Sequence, residues 1–150
     1  MTDRVSLVLF VVLVVAAGTA IGFITAPGEW YASLEKPPFN PPNWIFGPVW
    51  TFLYVLIGIA GWRVWRLQRD SAAMVTWWVQ LALNFLWSPI FFAARNVGLA
   101  LVVIVAMLGA IAVFIVLARP LDRVAALLFL PYAAWVAFAA LLNASILWLN

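Results

Sequence analysis

The chain has 150 residues, 68% of them hydrophobic and 9% charged, with a mean hydropathy of +1.13 and a net charge of +3. A chain with so few charges cannot clothe a soluble domain, where about a quarter of residues are charged. It has no cysteine and no histidine, which excludes disulfides, thiolate or imidazole metal sites, a cysteine nucleophile and a histidine general base.

Residues 5–26 form the first apolar run, after Asp3 and Arg4. Gly18-Thr19-Ala20 has the look of a signal-peptide cleavage site, but a run of about 20 apolar residues exceeds the usual 7–15 of such a peptide. We therefore read it as a membrane-spanning helix. Gly18 and Gly22 make a GxxxG spacing that predicts close approach of a neighbouring helix. Residues 27–44 are a loop, opened by Pro27-Gly28. The second span covers 45–66 and ends among Arg63, Arg66 and Arg69. A polar turn at 67–72 leads to the third span, 73–94, with Pro89 near its exit. Arg95-Asn96 is a hinge. The fourth span is 98–118, and Arg119-Pro120-Leu121-Asp122-Arg123 separates it from the fifth, 123–149. Each span of about 21 residues crosses a hydrocarbon core of about 30 Å. The sequence thus predicts an all-α membrane protein: one domain over 1–150, a bundle of five transmembrane helices with a Pro/aromatic-rich loop between the first two.

Helix alternation puts Arg4, Arg63, Arg66, Arg69, Arg119 and Arg123 on one side and Lys36 and Arg95 on the other. In an ordinary inner membrane this predicts a cytoplasmic N-terminus, with the first loop and the C-terminus outside. The same placement marks the cations as topology signals, so no nucleic-acid partner is expected.

Residues 36–50 hold five prolines: Pro37, Pro38, Pro41, Pro42 and Pro48. Each fixes its own φ and lacks an amide donor, so no helix runs through 36–43. The stretch reads as a stiff cover over a pocket, with Lys36, Pro41, Pro42 and Trp44 as its lid residues. Inside the spans, polar side chains need a partner or a cavity. The third span carries Gln80, Asn84 and Ser88 at i, i+4 and i+8; the second carries Trp50, Thr51 and Tyr54; the fifth carries Trp135 and Asn143. Helical spacing lets Trp50, Tyr54, Asn84, Trp87 and Trp135 face inward as an aromatic box with an amide in its wall. The competing reading makes them interfacial aromatics and interhelical hydrogen bonds.

Trp30-Tyr31, Lys36-Pro37, Asn40-Pro41-Pro42-x-Trp44, Pro48-x-Trp50-Thr51-x-x-Tyr54, Gln80-x-x-x-Asn84-x-x-Trp87-x-Pro89-x-Phe91-Phe92, Pro131-Tyr132-x-x-Trp135 and Leu142-Asn143 occur in this order. Together they resemble the translocator protein family, also called TspO/MBR, tryptophan-rich sensory proteins or peripheral-type benzodiazepine receptors. The resemblance covers all five spans and the loop. It implies a five-helix bundle, often a homodimer, whose pocket opens toward the first loop. It also implies porphyrins and other flat hydrophobic molecules as ligands, in contact with membrane lipid. By position it implies pocket residues Tyr31, Phe46, Trp50, Tyr54, Asn84, Trp87, Phe91 and Trp135. Two departures qualify it. Pro38-Phe39 stand where the family often has a second tryptophan, which predicts weaker stacking at the mouth. No Lys or Arg follows Tyr132, so the weak sterol motif is absent and sterol binding is not carried over.

Three functions follow from these expectations. One is a tetrapyrrole sensor or regulator, flat aromatic walls suiting a flat macrocycle. A second is light-dependent porphyrin breakdown, with Trp50 and Trp135 as candidate catalytic residues. The third is passive transport; ion-coupled transport is disfavoured because every Asp and Glu lies in a terminus or loop. No cofactor is required, porphyrin entering as ligand. No metal site is expected, and Tyr54 is the one pocket group that resembles an axial iron ligand.

Overall fold

The computed structural model describes residues 2–150. It is helical throughout, with no strand among the described residues: α1 (Asp3–Ile24), α2 (Glu29–Ser33), α3 (Asn43–Leu67), α4 (Ala72–Ser88), α5 (Val97–Ala118) and α6 (Arg123–Leu149), with a π turn over Pro89–Ala93 continuing α4. Five helices are long and apolar enough to cross a membrane: α1, α3, α4 with its π turn, α5 and α6. These are the five predicted spans, and the chain is a multi-pass membrane protein.

Four of the helix starts carry a side-chain cap. Thr2, Ser71 and Asn96 accept hydrogen bonds from the amides of Val5, Met74 and Leu99. Asp122 accepts from Val124 and Ala125 at the head of α6. These side chains satisfy amides that have no partner within the helix. α3 starts directly after Pro41-Pro42, two residues earlier than expected. The loop also holds the short α2, which the prolines gave no reason to anticipate.

Within the bundle α5 packs on α4 and α6, α3 packs on α6, and α1 lies mainly on α3. The solid core sits toward the arginine-bearing end. There Trp77, Phe114 and Phe129 are fully buried, and the last two rings lie 4.1 Å apart. Trp77 lies against Gly61 and donates its indole N–H to the Ile57 carbonyl at 2.9 Å. Gly58 lets the backbone at Val11 come close; a methyl group there would lie 2.8 Å from its Cα. Arg63 pairs with Asp122 at 2.8 Å, tying the end of α3 to the start of α6. Burial alone would raise the Asp122 carboxyl, but Arg63 and the capping amides outweigh it and hold the group below the usual carboxylate range.

One expectation is half met. Gly18 does allow close approach, to the Tyr54 ring of α3, whereas an added Cβ at Gly22 would meet nothing within 4 Å. The two glycines are spaced for one interface, but beyond Gly18 the helices part.

Candidate functional site

The parting of α1 and α3 opens a cavity of about 480 Å3 in the loop-end half of the bundle. That size falls within the range of small-molecule sites, about 300–1,000 Å3. All eight residues expected at a pocket line it: Tyr31, Phe46, Trp50, Tyr54, Asn84, Trp87, Phe91 and Trp135. Four of the spanning helices contribute, and α5 adds Met107.

The aromatic wall is built from ring contacts, tilted at Trp50–Tyr54 and Trp87–Phe91 and edge-on at Phe46–Trp135. Trp50 lies 5.5 Å from Tyr54, Phe46 lies 5.8 Å from Trp135, and Trp87 lies 5.1 Å from Phe91, ring centre to ring centre. Trp87 is fixed further: its indole N–H donates to Asn143 Oδ1 at 3.0 Å, and Asn143 donates to the Val97 carbonyl at 2.9 Å. The indole N–H of Trp135 is buried without a partner.

Asn84 is not a free amide. Its Nδ2 donates to the Tyr132 hydroxyl at 2.7 Å, and Tyr132 donates on to Gln80 Oε1 at 2.7 Å. Tyr54 donates to Asn84 Oδ1 at a long 3.4 Å. Asn84 therefore faces the cavity and also ties α4 to α6, so the two readings of the sequence meet in one residue. Tyr132, fully buried, is the hub of this chain. Its spacing from Trp135 places it on the same helix, but only packing shows that it lies behind the cavity wall.

The four residues expected to form the lid do not line the cavity. Trp44 is 74% exposed. Lys36 Nζ bonds the carbonyls of Ala32 and Leu34 and lies over the Tyr31 ring at 4.7 Å. The loop side is closed instead by Tyr31, packed against Phe91 and Phe92. Burial pushes the Tyr31 phenol above its ordinary value, against the opposing pull of Asn40, so it remains a neutral group at physiological pH. Sequence reasoning missed a clasp on the far side: Thr25 and Ser88 hydroxyls meet at 2.6 Å and hold the end of α1 to α4. The i+8 position of Ser88 relative to Gln80 was the available signal.

No Asp, Glu, Lys or Arg lines the cavity, and no group of three acidic or other ligating residues gathers anywhere among the described residues. The chemistry on offer is stacking, apolar burial and a few neutral hydrogen bonds.

A model of the TspO/MBR family matches residues 10–149. The "Tryptophan-rich protein TspO" of Archaeoglobus fulgidus is 45% identical over 148 residues, covering 96% of each chain. The "Tryptophan-rich sensory protein" of Cereibacter sphaeroides is 38% identical over 144 residues, covering 95% of this chain and 91% of its own. The human "Translocator protein" is 39% identical over 144 residues, covering 83% of this chain and 85% of its own.

Proposed function

Since the chain belongs to the TspO/MBR family of membrane sensor and translocator proteins, we propose that its cavity binds a flat tetrapyrrole of the protoporphyrin IX type and that the protein acts as a sensor or regulator of porphyrin levels. The observation that carries this reading is the wall itself. Trp50, Trp87 and Trp135 stand on three helices around one space that no Asp, Glu, Lys or Arg lines. Such a site favours a large, planar, apolar ligand, because stacking and area burial are the forces it supplies.

The macrocycle is held by its faces and edges, with no metal bond and no required cofactor. The chain has neither histidine nor cysteine, and the sulfur of Met107 lies against the Tyr132 hydroxyl at 3.6 Å. Tyr54 already donates to Asn84. We further propose that the protein works as a homodimer, with its N-terminus cytoplasmic and its first loop outside.

Titrating purified protein with a porphyrin panel tests this, tryptophan fluorescence being the readout. Metal-free protoporphyrin should quench saturably and bind about as well as haem. Haem binding more than tenfold tighter, about 1.4 kcal/mol, with a Soret shift lost in Tyr54→Phe, would overturn the metal-free account.

A further inference from the structure

The cavity wall is asymmetric. On α4 and α6 its residues are buried, as at Asn84, Leu142 and Asn143, or half-buried, as at Trp87 and Trp135, and none is exposed. On α1 and α3 it has an exposed border at Thr19, Gly22, Gly47 and Thr51, beside the half-buried Phe46, Trp50 and Tyr54. The two helices touch closely where Gly58 meets Val11 and where Gly18 meets Tyr54. Beyond Gly18 the end of α1 is held to α4 by the Thr25–Ser88 bond, on the other side. The result is a gap between the loop-end halves of α1 and α3.

Glycine in a membrane helix ordinarily permits a neighbour to approach. At Gly22 and Gly47 there is no neighbour: an added Cβ would meet no atom within 4 Å at either. They frame a window. Gly47 and Thr51 lie on the second and third turns of α3, roughly 6–12 Å from its start, within reach of acyl chains. Phe23 and Phe52, 84% and 58% exposed, stand outward beside it. The route along the bundle axis is obstructed. Tyr31 is 5% exposed, packed against Phe91 and Phe92, and Lys36 is bonded across it.

We propose that the cavity fills and empties sideways, through the α1–α3 window, so that its ligand is one that first partitions into the adjoining leaflet. This rests on the cavity being a ligand site, and it adds the route and a requirement on the ligand. An amphipathic plate fits that requirement: its apolar face passes Gly22 and Gly47, while a polar edge stays level with the exposed Asn43 at the head of α3.

The experiment uses the full chain in lipid nanodiscs, with protoporphyrin IX added to the membrane and tryptophan quenching followed by stopped flow. A portal sets rates in both directions. Gly22→Leu and Gly47→Leu should therefore each slow association and dissociation together, by tenfold or more, while their ratio changes far less. Loosening the loop with the pair Pro41→Gly and Pro42→Gly should leave both rates within about twofold. Because the two leucines sit on different helices, failure of one variant to fold leaves the other as the test. Unchanged rates in the folded leucine variant would overturn the window. So would weakened affinity without slower dissociation, which would make the glycine part of the bound-state contact. Absence of saturable quenching in the unaltered protein would instead strike the porphyrin reading beneath it, and the window would fall with it.

Discussion

Gly61 and Gly47 lie about four turns apart on α3, and they do opposite things. A side chain at Gly61 would run into the indole of Trp77, and one at Gly47 would meet nothing within 4 Å. The arginine-end half of the bundle is packed solid around Trp77, Phe114 and Phe129. The loop-end half holds a cavity of about 480 Å3. A small residue in a membrane helix is thus no proof of a helix contact. It marks either a place where a neighbour comes close or a place kept clear, and only packing tells them apart. The two halves are built on the same helices, since α1, α3, α4 and α6 each run through both.

The contrast is broken most sharply by the same substitution at both glycines. Gly61→Leu should destabilise the protein by about 3 kcal/mol or more, as overpacking against a buried indole does. Gly47→Leu should change stability by less than about 0.5 kcal/mol. Thermal melting in one detergent compares them, and equal losses would erase the distinction between the halves. Tyr132→Phe comes next. It leaves the Asn84 amide and the Gln80 carbonyl without the hydroxyl that joins them, a loss of about 2 kcal/mol for buried groups. Tyr54→Phe breaks only the 3.4 Å bond and should cost under about 1 kcal/mol. If the two phenylalanine variants melt alike, Tyr132 is not the hub.

Thr25→Val tests the hollow half alone. Removing the hydroxyl that meets Ser88 should cost about 1 kcal/mol, and hydrogen exchange should rise in the last turn of α1 but not around Gly58. A uniform rise along α1 would show that the halves are not separable. The smallest effect belongs to Asp122, at the solid end. Its carboxyl is held below the usual range in the folded protein, so its stabilising contribution is present above the unfolded value and disappears as pH falls through the lowered one. The melting temperature should therefore fall on strong acidification, and Asp122→Asn should flatten that limb. A variant with the same acid limb would assign it to other carboxylates.

The spans were legible because hydrocarbon demands long apolar runs, and the loop because prolines forbid helix. Seven of the eight expected cavity residues were legible through the ordered motif shared with a family, and Phe46 through its position between two parts of it. Their alternation with purely structural neighbours was not. Trp44 and Trp50 look alike in sequence, yet Trp44 faces outward at 74% exposure while Trp50 lines the cavity. Lys36 was expected at the mouth and instead braces its own loop. Gly18 and Gly22 have the spacing of one interface, but beyond Gly18 the end of α1 is bonded to α4 through Thr25 and Ser88, residues far apart in the chain. Such pairings are invisible to periodicity.

The π turn at Pro89–Ala93 has a consequence for how this chain tolerates change in length. Such a turn amounts to one residue inserted into an α-helix. Its bonds show the widened step: Ala94 N–H reaches the Pro89 carbonyl, five residues back, at 2.9 Å, and beyond it Asn96 N–H closes the helix end on the Ile90 carbonyl at 3.0 Å, across Arg95 in a left-handed conformation. Deleting any one residue here would restore a regular helix, and everything after it would turn by about 100°. Phe91 and Phe92 would no longer both reach Tyr31, and the cap at Asn96 would be carried away from the start of α5. A deletion that any loop would absorb would here undo two turns of site, though every remaining side chain kept its identity.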